Sequence, residues 1–331
     1  MGFRICVYAI CHNEAKHVRR WMESMREADG IYVLDTGSTD LSCALLTELG
    51  AHVEVCSIQP WRFDTARTRA LSMVPEDYDI CVSTDLDEVF SPGWRKRLEN
   101  AWKPNTKRAR FRFVCNYRAD GSEGTVIYLD RIHARRGYHW INPVHEVLSR
   151  DDHRFETQDE VVLVEGVTLA HFPDNTKSRA QYLPLLEMAV AENPLDARNM
   201  HYLGREYMYT GAWNECIQTL KTHLSLPSAV WREERSASCR YMARAQTALN
   251  DTEGAIRSLF AAIAEAPDLR EPYYEMAKLL IHLKDYAGAY FMAQRALSIQ
   301  TRPMSYVSED EAWSDAPVNI QEIAKKYLPR E

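Results

Sequence analysis

Three short stretches of the chain place acidic and polar side chains directly after apolar runs: Cys11-His12-Asn13-Glu14, Asp35-Thr36-Gly37-Ser38-Thr39-Asp40 and Thr84-Asp85-Leu86-Asp87-Glu88. In the second, Gly37 with Ser38 or Thr39 reads as a turn that caps a helix. Asp35 stands before that turn and directly after an apolar run, where a carboxylate can face a ribose or a base. In the third, Asp85 and Asp87 are one residue apart, so in extended backbone their side chains would leave on opposite faces. One direct metal ligand and one helper are therefore expected. Asp87 is assigned as the ligand, and Asp85 as the group that holds a ribose or a metal-bound water. Such oxygen donors suit Mg²⁺ or Mn²⁺ bridging two phosphates. An acidic solvated turn is the alternative reading, and the position after YDICVST is what favours chemistry.

The elements that must position these groups follow a βαβ rhythm. From Met1 to about Ala170, short apolar runs (RICVYAIC, IYVLD, AHVEV, YDICVST) alternate with amphipathic stretches ending near Ala28 and Gly50, and a further helix is expected over Thr65 to Met73. Strand-like segments follow around Arg110 to Asn116, Thr125 to Leu129 and Val161 to Leu169. A mostly parallel sheet with an antiparallel extension fits this order. In an open α/β sheet a ligand lies beyond the carboxyl ends of the strands, which is where the three polar stretches fall.

Beyond His171-Phe172-Pro173 the pattern becomes helical and repeats. Gly204, Tyr207, Cys216 and Leu220 take the small, aromatic, small and apolar places of a tetratricopeptide repeat. Ala243, Ala255, Leu259, Ala262 and Pro267 take the equivalent offsets, and Ala277, Ala289, Ala293 and Ala296 recur in the next unit at the period of about 34 residues expected of such repeats. Two domains are expected, residues 1–175 and residues 176–331, in keeping with a length of 331.

With 46% hydrophobic and 26% charged residues the composition is globular, and the net charge of −7 argues against a general polyanion binder. The eight scattered cysteines form no CxxC pair and read as reduced core residues of a cytoplasmic protein. The first apolar run is too short for a signal peptide or a membrane span.

The exit of the first apolar strand at Asn13-Glu14, the DTGSTD turn, the segment FDTARTRAL and the TDLDE stretch, in this order and spacing, resemble family-2 glycosyltransferases of the GT-A fold over roughly residues 4–172. The resemblance implies an α/β GT-A nucleotide-sugar-binding domain followed by an all-α tetratricopeptide-like domain. It implies that Asp35 contacts the uracil or ribose edge, with Ala9 and Glu14 helping to wall the base. Phe63, Arg67 and Arg69 lie in a segment similar to the family's F-x-x-A-R-N stretch, with Thr68 in place of the asparagine, and the likeness puts Arg67 at the sugar or diphosphate. Asn142-Pro143-Val144-His145-Glu146 resembles a V-H-E element of relatives with a helical-repeat tail. Glu146 is the expected general base, with Asp130 as its competitor. His171 would complete the metal site. Among Arg131, His133, Arg135 and Arg136, Arg131 is the expected clamp on the leaving diphosphate, because it directly follows a strand.

The expected activity is thus metal-dependent, inverting transfer of a sugar from a UDP-sugar, with Mn²⁺ or Mg²⁺ as cofactor. The acceptor is a peptide or protein in the first instance, with a saccharide or a modified nucleic acid as alternatives. Association into a homo-oligomer through the repeats is a further expectation. A helical-repeat scaffold and a non-catalytic sugar-nucleotide-binding protein are the rival readings.

Overall fold

A computed structural model describes residues 2–154, 157, 160–174, 180–303 and 308–328. The chain divides into two compact units, Met1–Ser178 and Arg179–Glu331. The expected domain boundary at 175/176 lies outside the described residues.

The first unit opens with strand β1 (Ile5–Cys11), helix α1 (Ala15–Met25), β2 (Gly30–Asp35), α2 (Ser42–Glu48), β3 (His52–Val55), α3 (Phe63–Ser72) and β4 (Ile80–Ser83). It continues through β5 (Glu88–Phe90), α4 (Trp94–Ala101), β6 (Arg108–Val114), β7 (Val126–Ala134), β8 (Tyr138–Ile141), β9 (Val147–Arg150) and β10 (Val161–His171). Eight of the strands form one sheet in the order β3-β2-β1-β4-β7-β6-β10-β5, and β8 pairs with β9 as a separate hairpin. The β3-β2-β1-β4 half is parallel, β7 is antiparallel to both its neighbours, β6 and β10 are parallel, and β5 is antiparallel to β10.

The continuous apolar run of β1 follows from burial on both faces. Ile5, Val7, Ala9 and Cys11 enter one core together with Val18, Trp21, Met22 and Met25 of α1. Cys6 and Tyr8 enter another, with Ala66, Ala70 and Leu71 of α3 and Tyr138, Trp140 and Leu148 of the β8-β9 hairpin. All eight cysteines are free thiols.

The second unit is helical: α5 (Tyr182–Glu192), α6 (Ala197–Thr210), α7 (Trp213–Ser225), α8 (Arg232–Ala248), α9 (Thr252–Glu265), α10 (Glu271–His282), α11 (Tyr286–Ser298), α12 (Asp310–Trp313) and α13 (Ala316–Lys325). Asp196, Asp251 and Asp285 cap α6, α9 and α11, each accepting a main-chain N–H three residues on. Ala255, Ala262, Ala277, Ala289, Ala293 and Ala296 are all fully buried, as the expected 34-residue spacing of small residues requires for close helix packing. Gly204 shows the reason most directly. A Cβ there would meet Leu220 of α7 at 2.4 Å. Among the described residues, no helix is long and apolar enough to cross a membrane.

Candidate active site

The carboxyl ends of β1 and β2 are held together by cross-bracing between their exit loops. Asn13, at φ 55°, accepts through its side-chain oxygen from the N–H of Thr39 at 2.8 Å, and its own N–H donates to Ser38 Oγ at 2.8 Å. Glu14 N–H donates to Ser42 Oγ, and Ala15 N–H to Asp40. Asp35 is fully buried, and its Oδ1 accepts from the N–H groups of Gly37 (2.9 Å) and Ser38 (2.7 Å). Its carboxylate thus organises the turn. Burial works against ionisation there, but these hydrogen bonds bring Asp35 below the ordinary carboxylate range.

The acidic stretch after β4 is the centre of a charge network. Asp85 receives Arg67 Nη2 on Oδ1 at 2.7 Å and Arg131 Nη1 on Oδ2 at 2.9 Å. Arg67 comes from α3, is 3% exposed, and also donates from Nε to Glu146 and from Nη1 to Ser83 at 3.3 Å. The guanidinium of Arg67 is thus spread over Asp85, Glu146 and Ser83. Burial disfavours the charge on Asp85, yet the two arginines outweigh it and hold this carboxyl well below the usual range. Each Asp85 oxygen thus accepts from an arginine.

Arg131 lies within β7 and not after it, which corrects the reason given for it. The register of β7 against β6 shifts between Ala109 and Phe111, so Asp130 and Arg131 together oppose Arg110. Such a bulge re-aims side chains. Arg131 reaches Asp85 and Glu88, whereas Asp130 pairs with Arg108 at 2.9 Å and with Arg110 at 3.5 Å. Asp130 is thereby committed to a different cluster from Glu146. Arg135 binds the carbonyl of Val74, Arg136 pairs with Glu76 and His133 is buried, so of this run Arg131 alone joins the Asp85 network.

Asp87 and His171 meet because β5 pairs antiparallel with β10, setting Glu88 opposite His171. His171 Nδ1 lies 3.0 Å from the Cys115 carbonyl, which places the ring proton on Nδ1, and Nε2 then faces Asp87 Oδ2 at 3.2 Å. A histidine whose second nitrogen donates to a carbonyl is the usual arrangement of a metal-binding imidazole. Among the described residues no group of three His, Cys, Asp or Glu side chains surrounds an ion. Asp87 and His171 are two side chains of the types that could serve a divalent ion.

Glu88 was not singled out as a site residue from the sequence. It is 2% exposed, accepts the Asp85 N–H at 2.8 Å, and accepts Arg131 at 3.2 Å, so it frames the Asp85 turn. Burial pushes its carboxyl up to about 7 against the pull of Arg131. Its signal was its place in TDLDE, directly after the two aspartates. The Ala9 methyl is 1% exposed inside the core, so it is the main chain there that could border a base. Glu14 stays at the β1 exit, 3.9 Å from His17. Thr68, the departure from the asparagine pattern, accepts the Trp140 N–H at 3.0 Å and so ties α3 to β8. Arg69 points instead to Glu54.

Residues 6–140 match the model of Glycosyl transferase family 2. The first unit is a family 2 glycosyltransferase domain, and it is followed by a tetratricopeptide-like helical unit. No curated protein matches the chain. Solved structures similar to it include the crystal structure of MamA, at 18% identity over 44% of this chain and 85% of that one, with a TM-score of 0.33. Another is the TPR2B-domain:pHsp70 complex of yeast Sti1, at 18% identity over 40% and 98%, with a TM-score of 0.32.

Proposed function

We propose that the protein is a metal-dependent, inverting glycosyltransferase that moves a sugar from a UDP-sugar to a peptide or protein acceptor. The observation that carries the proposal is the facing pair Asp87 and His171 at the strand ends, beside the Asp85, Arg131 and Glu88 network. Asp87 and His171 would hold Mn²⁺ or Mg²⁺, which offsets charge on a departing diphosphate when bound. Asp35 shapes the turn against which the nucleoside lies. Arg131 supplies positive charge next to the leaving group and is kept in place by Asp85 and Glu88. Glu146, held by Arg67, takes the proton of the acceptor nucleophile.

The test is thermal stabilisation of the full chain by UDP with and without Mn²⁺. A shift is expected only when both are present, amounting to about 2.7 kcal/mol with each at roughly 100-fold over its dissociation constant. A shift with a different nucleotide and none with UDP overturns the donor assignment.

A further inference from the structure

Asp87 and His171 face each other at the end of a short ladder. β5 is three residues long and lies at the edge of the sheet, and its pairing with β10 ends where Glu88 opposes His171. One further main-chain bond, from the Phe172 N–H to the Asp87 carbonyl at 2.9 Å, closes the ladder at that end. So short an edge strand opens locally at little cost, and the ladder by itself is a weak support for a metal pair.

The Phe172 side chain supplies a second support. Its ring is 36% exposed, so core burial does not anchor it, and two other elements hold it instead. The Arg20 guanidinium of α1 lies 4.2 Å from the ring centroid. The Tyr117 ring, from the connection between β6 and β7, stacks on it at 5.5 Å with an angle of 16°. Arg20 is itself oriented by His17, with Nη2 3.2 Å from Nδ1, and Lys16 of the same helix pairs with Asp174. Helix α1 thus grips the chain on both sides of Pro173. The connection that carries Tyr117 also carries Cys115, whose carbonyl accepts from His171 Nδ1 at 3.0 Å. One segment therefore holds both the imidazole and the ring that follows it.

We propose, on the basis of the metal-dependent reading above, that Phe172 is a positioning residue for the Asp87 and His171 pair. Its ring, pinned by Arg20 and Tyr117, keeps the β5-β10 ladder closed so that both side chains stay aimed at one ion. Phe172 touches neither the ion nor the donor; it acts through the main chain of Asp87 and His171.

Two measurements on the full chain test this. Hydrogen exchange in metal-free buffer should quicken about tenfold for residues 85–90 and 168–173 in Phe172→Ala, with β1 unchanged, and Phe172→Tyr should restore the original rate. Titration with Mn²⁺ in excess UDP, followed by electron paramagnetic resonance, should show affinity weakened by about 10–100-fold in Phe172→Ala, the range for losing a group that orients a metal ligand. Phe172→Tyr should again restore it. Arg20→Ala, a change at an exposed helix position, should weaken Mn²⁺ in the same direction, and it decides the matter should Phe172→Ala fail to fold. If the unmodified chain binds Mn²⁺ with UDP and the variants bind it equally well, the positioning role is overturned while the metal reading stands. Unchanged exchange in Phe172→Ala also overturns it. If the unmodified chain binds no Mn²⁺, the metal reading falls and the positioning role with it.

Discussion

Arg67 on α3 and Asp85 after β4 are joined at 2.7 Å, so that a helix residue 3% exposed fixes the orientation of the first aspartate in TDLDE. The same guanidinium holds Glu146. Arg67→Lys keeps a charge but cannot fork to both carboxylates. The expected outcome is a loss of about 3–5 kcal/mol in unfolding free energy, as for breaking a buried ion pair, together with a fall in kcat. Urea melts and steady-state kinetics check both, and a stable, fully active Arg67→Lys enzyme would contradict the network.

Asp87→Ala and His171→Ala should each remove the Mn²⁺-dependent thermal shift with UDP while leaving the metal-free melting temperature nearly unchanged. Both side chains reach the strand ends and not the core. EDTA on the unmodified chain should have the same effect on turnover. Normal turnover in metal-free buffer would remove the ion from the mechanism.

Glu146 and Asp130 can be told apart by isosteric amides. Glu146→Gln should lower turnover by about 10²–10⁴-fold, the usual range for loss of a general base. Asp130→Asn should leave turnover near normal, since Asp130 is paired with Arg108 and Arg110. The reverse ranking would make Asp130 the base.

Two buried groups of the first unit give its stability opposite pH dependences between pH 7.5 and 5.5: Glu88, raised to about 7, takes up its proton in the folded chain and favours folding as pH falls, whereas His133 does the reverse. His133 accepts at Nε2 from Tyr8 Oη at 2.8 Å, and its Nδ1 donates to the Ala134 carbonyl at 2.8 Å, so only the neutral ring satisfies both. Burial lowers His133 to about 3. The unfolded chain takes up the His133 proton below about pH 6.5 and the folded one does not, so the contribution of this residue to stability falls with falling pH, by about 1.4 kcal/mol at pH 5.5. Burial lowers His201 of the second unit as well, with the same sign there. Denaturant melts from pH 7.5 to 5.5 measure the slope, and His133→Gln should remove the falling component, raising stability at pH 5.5 relative to pH 7.5 by about 1.4 kcal/mol.

Gly204→Ala should destabilise the helical unit, because the new methyl would overlap Leu220. Overpacking of this kind costs about 1–3 kcal/mol, against about 1 kcal/mol gained in helix propensity. The double variant G204A/L220A should lose less than the sum of the two single changes, as measured by urea denaturation.

Several features were legible without coordinates because they repeat or run locally. The apolar run of β1, the 34-residue recurrence of alanines and the placement of DTGSTD and TDLDE after strands depend on neighbours close in sequence, and they define the two-part fold and the edge of the sheet where the site lies. What tertiary structure decided were relations between distant residues. That Arg67 pairs with Asp85 and Glu146 depends on α3 packing on β1, β2 and β8 and on the Phe63 N–H donating to the Pro143 carbonyl. That Asp130 and Arg131 part company depends on one shifted register against β6, which residue types do not reveal. That Ala9 can meet a base only through its main chain depends on α1 covering that face of the sheet. Asp87 and His171 meet only through the β5-β10 ladder. Side-chain partnership at long range is set by sheet register and helix packing, and a linear pattern carries the residue types but not the direction in which each is aimed.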